Sequence, residues 1–64
     1  MNTLYDTLLI IVRDRLSNKI GNDSMDRKLS YLKRHHNTME VVRTLNDVLN
    51  DNFKGVTLGK LFGL

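Results

Sequence analysis

The stretch of sequence that decides the fold is NTMEVVRTLNDVLNDNFKG, residues 37–55. Asn37 is a residue type that caps helices, and Glu40 follows it by three positions before an apolar run begins. Apolar side chains then recur at helical spacing, which predicts a helix over residues 38–52 that ends at Lys54-Gly55. Val41 widens its predicted inner face, which consists of Met39, Val42, Leu45, Val48, Leu49 and Phe53.

A first helix is predicted over residues 3–20. Thr3 followed by Asp6 has the pattern of a capping box, and Gly21 supplies a stop. Apolar residues cover about half of the helical wheel, more than one core-facing stripe requires. Ile10 lies outside that arc, beside polar positions. A strand at Ile10-Ile11-Val12 is the rival interpretation, but the longer helical spacing favours the helix.

A second helix is predicted over residues 24–36, capped by Asp23 or Ser24. Its apolar side chains have the 4-3-4 spacing of a narrow stripe, namely Met25, Leu29, Leu32 and then His36. Cations crowd its last turns, where they complement the helix dipole.

These elements predict an all-α fold, a small three-helix bundle with a short C-terminal helical turn over residues 57–62. Thr57 is expected to cap that turn, with Val56 packed against Leu61. Residues 1–64 are expected to form one domain. A chain of about 60 residues buries only about 60% of its unfolded surface, and this one contains no Cys for disulfides. Association is therefore the expected source of further stability, and a homodimer is predicted.

Several classes of function are excluded by composition and spacing. With 64 residues, no Cys and no glycine-rich phosphate loop, the chain is not expected to be an enzyme, to take a small-molecule substrate or to need a cofactor. His35 and His36 are adjacent, so they point about 100° apart on a helix and do not predict a metal site. The apolar run over residues 8–12 is too short to span a membrane. No signal peptide is recognisable, so a cytoplasmic location is expected.

The uneven distribution of apolar residues favours a protein interface. The chain is 41% hydrophobic, and its surplus lies on the first helix and the C-terminal turn. The rival interpretation is that the C-terminal turn folds back and closes the bundle. We therefore expect a small non-enzymatic regulatory protein, an inhibitor or modulator of the kind that viruses and plasmids encode, which binds a protein partner stoichiometrically. The predicted interface residues are Tyr5, Leu9, Ile10, Leu58, Phe62 and Leu64.

The alternative is a nucleic-acid-binding regulator. Of the net charge of +3, residues 21–37 carry +2, whereas residues 38–55 carry −1. A basic second helix can lie against phosphates, but an ordinary solvated helix face has the same composition. A helix-turn-helix is disfavoured, because its recognition helix would be the acidic third one. The predicted nucleic-acid-binding residues are Arg27, Lys28, Tyr31, Lys33 and Arg34.

Overall fold

A computed structural model describes residues 3–63 of the chain. Four helices follow one another along it: α1 is Leu4–Leu16, α2 is Asn22–His35, α3 is Thr38–Asn52 and α4 is Leu58–Leu61. No strand occurs within residues 3–63, and the apolar run over residues 8–12 is helical. The prediction of an all-α fold with three longer helices and a short C-terminal one is confirmed.

Helix α1 begins as the sequence predicts. The Thr3 hydroxyl accepts a hydrogen bond from the Asp6 amide at 3.1 Å, and the Asp6 carboxylate accepts one from the Thr3 amide at 3.4 Å. This reciprocal capping box satisfies two backbone donors that have no partner inside the helix.

The predicted end of α1 at Ile20 is wrong, because the helix stops at Leu16. Asn18 has φ +63°, a left-handed conformation that Asn tolerates better than most residues. The Asn18 amide donates to the Arg15 carbonyl at 3.2 Å, and the Lys19 amide donates to the Asp14 carbonyl at 2.9 Å. These two bonds form a Schellman motif, so Asn18 ends the helix before Gly21 is reached.

Helix α2 begins earlier than predicted. Gly21 is its N-cap, with an extended backbone and no side-chain capping bond. Gly21 therefore starts α2 and does not stop α1, and the predicted caps Asp23 and Ser24 lie inside the first turn. The Met25 amide donates to the Gly21 carbonyl at 3.1 Å, which places the Met25 side chain in the core, where it is fully buried.

The Asn22 side chain joins three parts of the chain. Its Oδ1 accepts a hydrogen bond from Arg15 Nε in α1 at 2.7 Å, and its Nδ2 donates to the Phe62 carbonyl at 3.1 Å. These bonds link the end of α1 and the start of α2 to the C-terminal turn.

Helix α3 has its predicted bounds, and Asn37 caps it by accepting a hydrogen bond from the Met39 amide at 2.8 Å. Its predicted inner face is wrong at two positions, because Met39 is 64% exposed and Val42 is 36% exposed. The buried side chains are Val41, Leu45, Val48 and Leu49. With their 4-3-1 spacing, these four side chains form the face of α3 that packs in the core, and Met39 and Val42 lie outside this face, toward solvent.

Helix α4 closes the bundle by packing against α1. The Thr57 hydroxyl caps it as predicted, accepting from the Lys60 amide at 3.1 Å, and Leu61 is 1% exposed. Val56 is half-buried against the same core. Within residues 3–63 every buried side chain is apolar, and the core consists of Leu8, Ile11, Val12, Met25, Leu29, Leu32, Val41, Leu45, Val48, Leu49 and Leu61. Any binding chemistry of this part of the chain therefore lies at its surface.

Candidate functional site

Ile10 is the side chain around which the candidate site is built. It is 48% exposed, although it stands in the middle of α1, a helix that also buries Leu8, Ile11 and Val12. Ile10 lies on the opposite side of α1 from Leu8, as its position on the helical wheel predicts. It lines two neighbouring clefts, so the two clefts meet at its side chain.

The first cleft lies between α1 and α2 and has a volume of about 390 Å³. Ile11 and Leu32, both part of the core, form its floor, while Ile10 and the 61%-exposed Tyr31 form its walls. Arg27 and Lys28 precede Tyr31 by about one turn of α2, so all three reach the same cleft. Its full lining is Thr7, Ile10, Ile11, Arg27, Lys28, Tyr31 and Leu32.

The second cleft, of about 590 Å³, lies at the C-terminal end of α1. Helix α1 ends at Leu16, before the predicted Ile20, and Leu16 in its last turn is 39% exposed to solvent. Half-buried Phe53, which follows α3, is the third apolar side chain in the lining of this cleft, with Ile10 and Leu16. The full lining is Ile10, Arg13, Asp14, Leu16, Ser17, Lys19 and Phe53.

We call the partly or fully exposed apolar side chains of the two clefts the Ile10 surface, which consists of Ile10, Leu16, Tyr31 and Phe53. Its charged border contains four cations and one carboxylate, namely Arg13, Lys19, Arg27, Lys28 and Asp14. Within residues 3–63 no carboxylate oxygen lies within 4.0 Å of these four cations. The border is therefore positive, and its charges are available to a binding partner.

Tyr5 and Leu9, predicted to share an interface with Ile10, lie elsewhere on α1. Both are half-buried against the core, and neither lines a cleft with Ile10. The Tyr5 hydroxyl donates to the Asp51 carboxylate at 2.9 Å and accepts from the Asn52 amide at 2.9 Å, which ties α1 to the end of α3. Desolvation and this bond to Asp51 raise the pKa of Tyr5 above its ordinary value.

The predicted C-terminal interface residues lie mostly within the bundle. Leu58 and Phe62 are half-buried and packed against the core. This is the fold-back arrangement that the sequence also allowed. Leu64 lies outside the described residues.

The predicted nucleic-acid-binding residues are all exposed on α2, but they do not share one face. Arg27, Tyr31 and Arg34 line a shallow depression together with Asp26. Lys33 lies about 160° from Tyr31 around the helix axis, because each residue advances by about 100°. The Tyr31 ring also lies 4.4 Å from the His35 ring, tilted by 47°, which partly covers its stacking surface.

The imidazole of His36 lies beside the carboxylate of Glu40. Its Nδ1 lies 3.6 Å from Glu40 Oε1, and both side chains are more than one-third exposed. Within the described residues no three His, Asp or Glu side chains are grouped so that they could hold a metal ion. The His36–Glu40 contact is a solvent-exposed pair of the kind that contributes little to stability.

Two members of the Ile10 surface were not among the predicted interface residues. Phe53 was assigned to the inner face of the third helix, and Leu16 is the last residue of α1; each is partly exposed beside a helix end. The left-handed turn at Asn18 is the signal that could have located Leu16, because Asn is the residue after Gly most often found there.

Comparison of the chain with protein-family models, with curated proteins and with solved structures found no match. None of the helices within residues 3–63 has the length and apolar character needed to cross a bilayer.

Proposed function

We propose that this protein is a non-enzymatic regulator that binds another protein stoichiometrically through the Ile10 surface. The observation that carries the proposal is the exposure of Ile10 at the junction of two clefts, the first of which has the core residues Ile11 and Leu32 in its lining. A contiguous apolar area with a polar border is the usual surface of a protein–protein contact. Its mechanism is steric: bound to its partner, the bundle occludes the partner surface that it covers.

The affinity of such a contact would come mainly from its centre. Ile10 and Tyr31 have the largest exposed fractions on the Ile10 surface, and both line the cleft between α1 and α2. Side chains of this kind act as anchors when a partner removes the water around them. The charged border then orients the partner and raises the association rate.

The predicted homodimer is the competing arrangement, since a second copy could also cover Ile10. In a two-fold dimer, however, the same positive border would face its own copy. That repulsion favours a different protein as the occupant. A cytoplasmic location, expected from the sequence, remains a prediction that belongs to this proposal.

The proposal is tested by affinity capture from cells that make the protein, after nuclease treatment. Ile10→Glu places a charge in the centre of the Ile10 surface, and Met39→Glu is the matched control, since Met39 is exposed on α3 outside both clefts. We expect the wild type and Met39→Glu to recover the same protein in equimolar amount, and Ile10→Glu to lose it. Recovery of that protein by folded Ile10→Glu would contradict the proposal.

Nucleic-acid binding is the second candidate, supported by the depression that Arg27, Tyr31 and Arg34 share on α2. It predicts binding to random duplex DNA that weakens steeply between about 50 and 200 mM salt. Arg34→Gln would then weaken DNA binding, whereas it lies outside the Ile10 surface and would leave protein capture unchanged. Absence of any DNA complex at low salt removes this candidate.

A further inference from the structure

We infer that the Ile10 surface receives an acidic amphipathic helix of the partner protein. This inference rests on the proposed function and adds the chemical class of the partner segment. It follows from two properties of the same surface: the apolar side chains that line its clefts and the sign of the charges around them.

The apolar component requires a partner with a stripe of apolar side chains. The cleft between α1 and α2 has Ile11 and Leu32 as its floor and Ile10 and Tyr31 as its walls. A helix with apolar residues at positions i, i+3, i+4 and i+7 presents such a stripe and docks in grooves of this type. About 16 residues of helix span roughly 24 Å, somewhat more than the roughly 20 Å of the 13-residue α1, which borders both clefts.

The charge of the border selects an acidic partner. Arg27 and Lys28 border the first cleft, and Arg13 and Lys19 border the second, against the single carboxylate of Asp14. Since none of these cations has an ion-pair partner among the described residues, Glu or Asp side chains flanking the apolar stripe would pair with them. Such complementarity adds specificity and speeds association.

Phosphate groups fit this surface less well than carboxylates on an amphipathic helix. A nucleic-acid backbone over the Ile10 surface would bring phosphates against Ile10 and Leu16, where they would lose water without gaining a hydrogen bond. Tyr31 is the only aromatic ring on the walls of the first cleft, and His35 already partly covers it. The surface therefore favours the acidic protein segment.

The test uses designed fluorescent peptides of about 16 residues. The acidic peptide has Leu at the stripe positions and Glu elsewhere, the basic peptide has Lys for every Glu, and the third is the acidic peptide in scrambled order. Fluorescence polarisation measures the Kd of each with the full chain. We expect the acidic peptide to bind at least about tenfold more tightly than either other peptide.

Substitutions locate the binding site. Ile10→Ser, which adds no charge, should weaken acidic-peptide binding about tenfold. Arg27→Gln with Lys28→Gln should weaken it about five- to tenfold at low salt. The matched control, Lys33→Gln with Arg43→Gln, removes the same charge outside the Ile10 surface and should change the Kd less than twofold.

The possible outcomes are distinguishable. Equal affinity for the basic peptide, or no binding of the acidic one, overturns the inference even if capture through Ile10 still identifies a partner. If Ile10→Glu captures the partner as well as the wild type does, the proposed function is overturned as well. A dimer in sedimentation that Ile10→Ser dissociates would assign the surface to a second copy, and duplex DNA that displaces the acidic peptide would assign it to nucleic acid. Either result refutes the inference.

Discussion

Leu61→Ala is expected to remove a large share of the stability of this fold. Leu61 is 1% exposed and is the side chain through which the short helix α4 enters the core. The substitution deletes three methylene-sized groups, each contributing about 0.8 kcal/mol when buried. The cavity left behind increases the cost. Because a helix of four residues can partly collapse into that cavity, we expect a total near the lower end of the usual range, about 3 kcal/mol.

The assay is urea and thermal unfolding followed by far-UV circular dichroism. Proteins of this size have a free energy of unfolding of roughly 3–10 kcal/mol, so Leu61→Ala should lower Tm by roughly 10–20 °C. Ile10→Ala is the matched control, since it is also an aliphatic truncation but at a 48%-exposed site, and should cost about 1 kcal/mol or less. Equal losses in the two variants would refute the assignment of α4 to the cooperative core.

Three further predictions concern polar positions. Asn18→Gly should stabilise the fold by about 0.5–1 kcal/mol in urea unfolding, because Gly adopts the φ of +63° without strain; a destabilised variant would argue against the Schellman motif. Asn22→Ala should cost about 1 kcal/mol and speed hydrogen exchange of the backbone amides over residues 58–63, whereas unchanged exchange there would contradict the bridging role. The pKa of Tyr5 is raised above 10.0, so the stability that the protonated hydroxyl provides is complete below pH 10 and is lost as pH rises through the folded-state pKa. In Tyr31→Phe, which leaves Tyr5 as the only tyrosine, the phenolate absorbance should therefore appear at higher pH in folded protein than in urea.

The local patterns of the sequence predicted the helices better than their ends. Asn37 and Thr57 act as caps where the sequence predicted them, because each capping bond is made within three residues along the chain. The start of α2 was missed because Gly21 was predicted to stop the first helix, whereas it is the N-cap of α2 and its carbonyl accepts the first bond of that helix from Met25. The Asn22 side chain also bonds to Phe62, and local capping preferences contain no information on so distant a partner.

The candidate site was predicted in part. The helical wheel identified Ile10 as the apolar residue outside the core arc, and the structure leaves it about half exposed. The wheel could not show that Tyr31 of α2 lines the same cleft as Ile10. The predicted interface grouped Tyr5 with Ile10, whereas Asp51 and Asn52 hold the Tyr5 hydroxyl on the side of α1 that faces α3.

By itself, the sequence determined the helical class, the bounds of α3 and the exposure of Ile10, because capping bonds and helical periodicity act over a few neighbouring residues. Only the tertiary structure decided which apolar residues the bundle buries in its own core. Helix α4 buries Leu61 against α1, and Leu58 and Phe62 are half-buried with it. The apolar residues of the C-terminal turn are thereby packed against the core, whereas Ile10 and Leu16 of α1 stay exposed, since burial depends on how helices pack and not on the spacing within any one of them.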